Sequence, residues 1–198
     1  AATAFEYENY LNAFLARVIY SYDGRYLFNA SIRRDGSSVF GRDTKYGNFP
    51  AVSAGWVLSN EKFMENVDWI NQLKFRVSYG VTGTNALNGD FLTENYPSLA
   101  LLEPSSAVID GTIVNGFNPV NIPNELLQWE RSEEINPGVD FGFFKNAISG
   151  SVDYYKRTSD ELLLDNPVAG TTGFTSALVN LGTVVNEGVE VELRTRII

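Results

Sequence analysis

The sequence contains no cysteine and no histidine. Without thiols there is no disulfide framework and no thiolate nucleophile or metal ligand. Without imidazole, Ser-His-Asp catalysis is excluded and the commonest transition-metal ligand is missing. Basic residues are scarce: 15 Lys and Arg stand against 24 Asp and Glu, for a net charge of −9. That balance argues against nucleic acid, whose phosphates require a basic stripe. No apolar run reaches about 18 residues, so no transmembrane helix is expected. No signal-peptide pattern opens the chain, and Ala1 reads as the start of a processed or excised piece.

What is present points to strands. The chain has 198 residues, 44% hydrophobic and 20% charged, which suits an ordered domain rather than disorder. Aromatics reach 13%, with 10 Tyr and 13 Phe, and glycine-containing turns separate the runs. Two long alternating runs, 129–144 and 147–163, meet at a turn expected at Lys145-Asn146. On the second run Ile148, Val152 and Tyr154 share one side, and Ser149, Ser151 and Asp153 the other. The same split recurs over 13–22, 25–34, 49–59, 73–82 and 187–198. In 73–82, Leu73, Phe75, Val77, Tyr79 and Val81 oppose Lys74, Arg76, Ser78, Gly80 and Thr82. Asp23-Gly24 signals a tight hairpin. Residues 60–72 lack alternation and suggest a short helical connection. Pro137 cannot donate to a ladder, so a bulge or irregular pairing is expected there.

About seven strands result, in an up-and-down meander. Three connections are short: Asp23-Gly24, 60–72 and Lys145-Asn146. Three are long: 35–48, 83–128 and 164–185. Alternate connections of a meander emerge at the same end, so all the long loops share one end. Outer-membrane barrels show this asymmetry. Strands of about ten residues match a tilted bilayer crossing. Tyr20, Tyr22, Tyr26 and Trp129 sit where an interfacial girdle would. On pattern alone two readings stay open. One is a membrane barrel with its apolar face to lipid; the other is a soluble β-sandwich or β-helix-like domain with that face in a core.

Specific segments then carry a resemblance. Tyr22-Asp-Gly-Arg-Tyr-Leu-Phe-Asn-Ala-Ser-Ile-Arg-Arg-Asp-Gly-Ser-Ser38 and Phe49-Pro-Ala-Val-Ser-Ala-Gly-Trp56 are two. Leu73-Lys-Phe-Arg-Val-Ser-Tyr-Gly-Val-Thr-Gly83 and Asp140-Phe-Gly-Phe-Phe144 with Val152-Asp-Tyr-Tyr155 follow. Thr171-Thr-Gly-Phe174 with Asn186-Glu-Gly-Val-Glu-Val-Glu192 completes the order. Together they resemble the C-terminal barrel part of the SusC/RagA family of TonB-dependent outer-membrane transporters. The match covers nearly the whole chain except 84–128.

The resemblance implies an all-β, antiparallel transmembrane β-barrel segment with long extracellular loops in a Bacteroidetes-like outer membrane. Residues 1–198 are then a partial barrel domain, since a full transporter barrel has about 22 strands. A plug domain and a TonB-contacting segment have no counterpart in it. Implied partners are a SusD/RagB-like surface lipoprotein, TonB through the N-terminal part, outer-membrane lipid, and an oligosaccharide or peptide substrate. The role implied is transport, not enzymatic, with no cofactor or metal. The competing class is a soluble all-β carbohydrate-binding or adhesin module.

Candidate sites follow from chemistry and position. The 83–128 connection holds Asp90, Glu94, Glu103, Asp110 and Glu125 with no Lys or Arg, and four of the seven prolines. Loops this long are usually either functional or disordered. Its Phe91, Tyr96 and Phe117, with Trp129, are candidates to stack on sugars or meet a lid partner. Arg33, Arg76, Ser149, Ser151, Asp153, Glu190 and Glu192 are expected to line the lumen, along with Arg17, Arg25, Lys74 and Arg194. Adjacent Glu133 and Glu134 face opposite sides of a strand, which excludes a shared acid pair. Asp153, Asp160 and Glu161 lack the spacing of a calcium loop.

Overall fold

The computed structural model describes residues 8–85 and 96–196. Its strands are β1 (Leu11–Tyr22), β2 (Tyr26–Ser37), β3 (Tyr46–Val57), β4 (Ile70–Thr84), β5 (Leu102–Ile109) and β6 (Thr112–Pro119). They continue as β7 (Glu130–Phe143), β8 (Ile148–Asp160), β9 (Leu163–Pro167), β10 (Ser176–Asn180) and β11 (Thr183–Thr195). Seven form one sheet in the order β1-β2-β3-β4-β7-β8-β11, with every neighbouring pair antiparallel. No described helix is long and apolar enough to cross a membrane.

Two expectations are corrected at the long loops. The connection read as 83–128 contains the β5–β6 hairpin, and the loop read as 164–185 contains β9 and β10. Local alternation in these segments is broken by Pro and Gly, which hid the strands. The β5–β6 turn is Asp110-Gly111, both at positive φ. The turn between β7 and β8 is also wider than expected. Phe144, Lys145 and Asn146 all have positive φ, and Ala147 N–H closes on the Phe144 carbonyl at 3.1 Å. The 60–72 stretch holds a single 3-10 turn, Lys62–Met64, just after another at Leu58–Asn60. At Pro137 the β7–β8 ladder lapses between the pairs Ile135/Lys156 and Gly138/Asp153, and the register resumes unshifted. The missing proline N–H therefore produces irregular pairing and no bulge.

Register aligns the apolar side chains across all seven strands. Tyr20, Phe28, Ala54, Val77, Pro137, Tyr154 and Val189 lie on one face in successive strands. Among the described residues no second sheet packs on that face. Phe14 is 70% exposed and Val191 69%. A soluble sandwich would bury this surface. At the short-turn end the aromatics cluster on this face. The Tyr22 and Tyr26 rings stack at 6.4 Å, Trp56 meets Phe75 at 6.2 Å, and Trp69 meets Phe143 at 5.6 Å.

Glu61 anchors that end. Trp56 Nε1 and the Tyr26 hydroxyl donate to its Oε1 at 2.9 and 2.7 Å, and Arg25 Nη1 donates to its Oε2 at 3.1 Å. These bonds, led by the Trp56 indole, hold the carboxyl below its ordinary pKa of 4.5. A depressed folded-state pKa adds stability above the unfolded value and loses it as pH falls through the folded one. Thermal stability of the full-length protein should therefore fall as pH drops below the ordinary carboxyl value of 4.5 and through the lowered folded-state one. Glu61→Gln should remove that part of the acid dependence. An unchanged pH profile in the variant would count against the anchor.

The described core is small and lies at the other end. It comprises Val39, Phe40, Phe49, Val81, Leu127 and Trp129, with Leu163 and Leu178 packed against it. Here β3 and β4 stop pairing beyond Ala51/Gly80, though each stays paired to its other neighbour. Phe49 fills the opened seam and its ring reaches Gly83. The three long loops all contribute. Thr44 Oγ1 donates to the Leu127 carbonyl, and the Glu125 carbonyl occupies the place a Cβ on Gly41 would take. Asn180 Nδ2 donates to the Gln128 and Glu161 carbonyls, both at 2.9 Å. Gln128 N–H donates back to Asn180 Oδ1, and Asn124 Nδ2 reaches the Leu178 carbonyl.

Candidate functional site: the polar wall

The opposite face of the sheet collects the polar side chains. At its centre Arg76 of β4 reaches across β7 to β8. Its Nε donates to Asp140 Oδ1 at 3.0 Å, and its Nη2 donates to Asp153 Oδ2 at 2.8 Å. The same nitrogen lies 2.6 Å from Asp153 Oδ1, which is buried off the donor direction and gains charge attraction without a hydrogen bond. Lys74 Nζ is 3.6 Å from Asp140 Oδ2. Gly138 makes the crossing possible, because a Cβ there would overlap Asp153 Oδ1 and crowd the Arg76 guanidinium. Two same-face positions toward the long loops, Arg157 grips Glu134 Oε2 through Nε at 2.8 Å and Nη2 at 2.7 Å. Ser132 and Ser159 share a 2.6 Å hydrogen bond across the same two strands. Half-exposed ion pairs contribute roughly 0–1 kcal/mol each, and networks more.

The residues expected to line this wall share its face, with one exception among those considered. Arg33 pairs with Asp35 at 2.7 Å. Ser149 lies opposite Gly142 and Arg194, and Ser151 opposite Asp140 and Glu192. Asp153 lies opposite Gly138 and Glu190. Glu192 pairs with Arg194 at 2.6 Å. Arg17 donates from Nε to Asn29 Oδ1 at 2.8 Å. Arg25 is the exception: it sits in the turn, bound to Asp23 and Glu61, and is not aligned with the strand charges.

Sequence reasoning missed Asp140, Glu134 and Arg157 as wall residues. Their phase was readable, since each is an even number of positions from Asn136 or Asp153. The long reach of Arg76 across an intervening strand was not. Glu133 and Glu134 do face apart: Glu134 meets Arg157, while Glu133 meets Arg131 at 2.9 Å. Asp160 accepts from Thr183 Oγ1 at 2.7 Å and lies an odd number of positions from Asp153, so the two carboxylates occupy opposite faces.

The four aromatic candidates do not converge. Phe91 lies outside the described residues. Tyr96 is half-buried, and its hydroxyl donates to the Glu8 carbonyl and accepts from the Glu8 N–H, both at 3.1 Å. Phe117 is 70% exposed on β6. Trp129 is corrected outright. It is 7% exposed, packed on Phe40 at 5.3 Å and Phe49 at 5.4 Å, with Nε1 donating to the Lys45 carbonyl. A ring held in this core has no face to offer a sugar, and it belongs to no interfacial girdle.

Residues 3–196 match the profile described as TonB dependent receptor-like, beta-barrel. The chain belongs to the TonB-dependent receptor β-barrel family. The wall is therefore part of an outer-membrane barrel, with its uncovered apolar face toward lipid. TonB-dependent receptor P39 of Formosa agariphila is 43% identical over 94% of this chain and 17% of its own length. TonB-dependent receptor SusC of Bacteroides thetaiotaomicron is 33% identical over 98% of this chain and 19% of its own. Among solved structures, the RagAB peptide transporter superposes with a TM-score of 0.83 at 30% identity, covering 96% of this chain and 20% of that one. The siderophore receptor PirA from Pseudomonas aeruginosa, at 15% identity and a TM-score of 0.59, shares the barrel fold. This receptor segment thus spans about a fifth of the length of its relatives.

Proposed function

We propose that residues 1–198 wall the pore and supply extracellular loops in a SusC/RagA-like importer of oligosaccharides or peptides. The observation that carries this is the sheet itself: seven strands with an uncovered apolar face and an ion-paired polar face, in the TonB-dependent receptor family. The wall resists lipid on one side and water or cargo on the other. Energy comes from TonB, engaged by other parts of the longer receptor, and no bond chemistry is assigned to this segment. A SusD/RagB-like surface lipoprotein meets the long-loop end.

The β5–β6 hairpin is the element assigned to the vestibule or to that lipoprotein. It projects with Leu102, Val108, Ile113 and Phe117 exposed, and an isolated two-stranded hairpin is marginal in water. Its ends are adjacent, since Val120 N–H donates to the Leu101 carbonyl at 2.9 Å. Replacing 102–119 by a linker of about two residues should leave barrel insertion intact. Uptake, or co-purification of the lipoprotein, should fall. Unchanged uptake with an unchanged complex would reject the assignment.

A further inference from the structure

We infer that Arg34 holds the phosphate of an outer-leaflet lipid at the rim of the barrel's apolar band. The inference rests on the sheet facing lipid, and not on what the receptor imports.

Register places the site. On β2, Tyr26, Phe28, Ala30 and Ile32 point outward in turn, and Arg34 is the next outward residue. On β3 the outward run from Trp56 to Pro50 gives way to Asn48, opposite Arg34, and then to Tyr46. On β1 the outward run ending in Phe14 gives way to Asn12, one outward position beyond. Polar side chains thus take over together on three adjacent strands. Arg34 is eight residues beyond Tyr26, which at ~3.3 Å per residue and a tilt of ~40° is roughly 20 Å of height, near the ~25 Å of an outer-membrane apolar band. Arg34 therefore stands at the outer headgroup level, with the stacked Tyr22 and Tyr26 rings at the inner one.

Its surroundings suit an anion. Arg34 is exposed and makes no ion pair or hydrogen bond among the described residues. Asp35 is the only carboxylate in β1, β2 and β3, and it lies on the other face, paired with Arg33. The guanidinium is also held in place: its Cζ lies 4.9 Å from the centre of the Tyr46 ring. That ring reaches it by lying across Gly36, where a Cβ would overlap Cε1. Stacking occupies one face of the guanidinium and leaves its N–H edge free, a fork that matches two phosphate oxygens at once. Asn12 and Asn48 are exposed too, make no hydrogen bond among the described residues, and add carboxamide donors.

What lies below the cation selects a lipid. Phe14 and Ile32 are both exposed, so the patch is continuous with the apolar face. A phospholipid or phosphorylated glycolipid meets both parts, its phosphate on Arg34 and its acyl chains along Phe14 and Ile32. A free anion meets only the first. Lys156 is the contrast. It too lies eight residues from the short-turn end of its strand and makes no ion pair among the described residues, but Glu187 stands opposite it on β11. That carboxylate repels the anion that the lysine attracts.

The test uses the full-length receptor, purified in detergent and freed of lipid. The probes are monophosphorylated lipid A, the same lipid with its phosphate removed, and inorganic phosphate, with binding read by native mass spectrometry. The phosphorylated lipid should bind about tenfold more tightly than the dephosphorylated one. Arg34→Gln should weaken the phosphorylated lipid on the order of tenfold and leave the other unchanged. Arg34→Lys, which keeps the charge and loses the fork, should weaken it about threefold, and it replaces the glutamine variant if that one does not insert. Lys156→Gln should change nothing. Heat-modifiable mobility reports that each variant keeps its barrel. Equal binding of the two lipids, no effect at Arg34, or an equal loss in Lys156→Gln overturns the inference. Displacement of the lipid by an equal concentration of inorganic phosphate also overturns it, since the site would then serve a free anion. No arm reads uptake, so this inference and the importer reading fail separately.

Discussion

Trp129→Ala is expected to free the long loops while the barrel wall stays assembled. Truncating a buried tryptophan costs about 3–5 kcal/mol. Here the cavity would open at the meeting point of all three loops. Val39 and Phe40 come from the first, Leu127 from the second, and Leu163 and Leu178 from β9 and β10 of the third. The Lys45 carbonyl would also lose its indole donor. The paired strands below Ala51/Gly80 do not contribute to this core. Protease cleavage within 38–45 and 96–128 on intact cells should therefore rise sharply. Heat-modifiable mobility of the full-length barrel should persist. Loops that stay protected would show that the core is not what joins them. Trp129→Phe keeps most of the apolar volume and should cleave far more slowly than the alanine variant.

Gly138→Val is expected to have the second large effect, on the wall itself. The added side chain would occupy the space through which Arg76 reaches Asp153. Overpacking alone costs about 1–3 kcal/mol, and stranding a half-buried charge adds to it, for a total on the order of 3 kcal/mol. The background decides the cause. With Arg76→Met and Asp153→Leu already in place, the valine has no ion pair to displace, so its added cost should fall by more than half. Thermal unfolding of the detergent-solubilised receptor reads both backgrounds. Equal costs would mean that Gly138 serves some other close approach.

Alternation made the wall legible. A period of two assigns every residue of a strand to a face, so Ser149, Ser151 and Asp153 were placed together from order alone. Loop asymmetry placed the long connections at one end, because alternate connections of a meander emerge on the same side. Boundaries were less legible. The last strand begins at Thr183 rather than 187, because Val184 and Val185 interrupt the pattern. The hairpin inside 83–128 was hidden because Pro104, Gly116 and Pro119 punctuate its strands, and composition there reads as loop. Trp129 was misplaced because a strand-end aromatic looks alike whether it meets lipid or a loop core.

By itself the sequence determined the all-β class, the number of wall strands, their faces and the end at which the loops gather. These depend on side-chain order within single strands. The tertiary structure decided everything that depends on contacts between distant strands. It showed the apolar face uncovered across seven strands, which is what separates barrel wall from sandwich core. It bound three loops into one core around Trp129, and it let Arg76 pass over Gly138 to Asp153. Register sets which residues meet across a seam, and register belongs to the pairing of strands, not to any one of them.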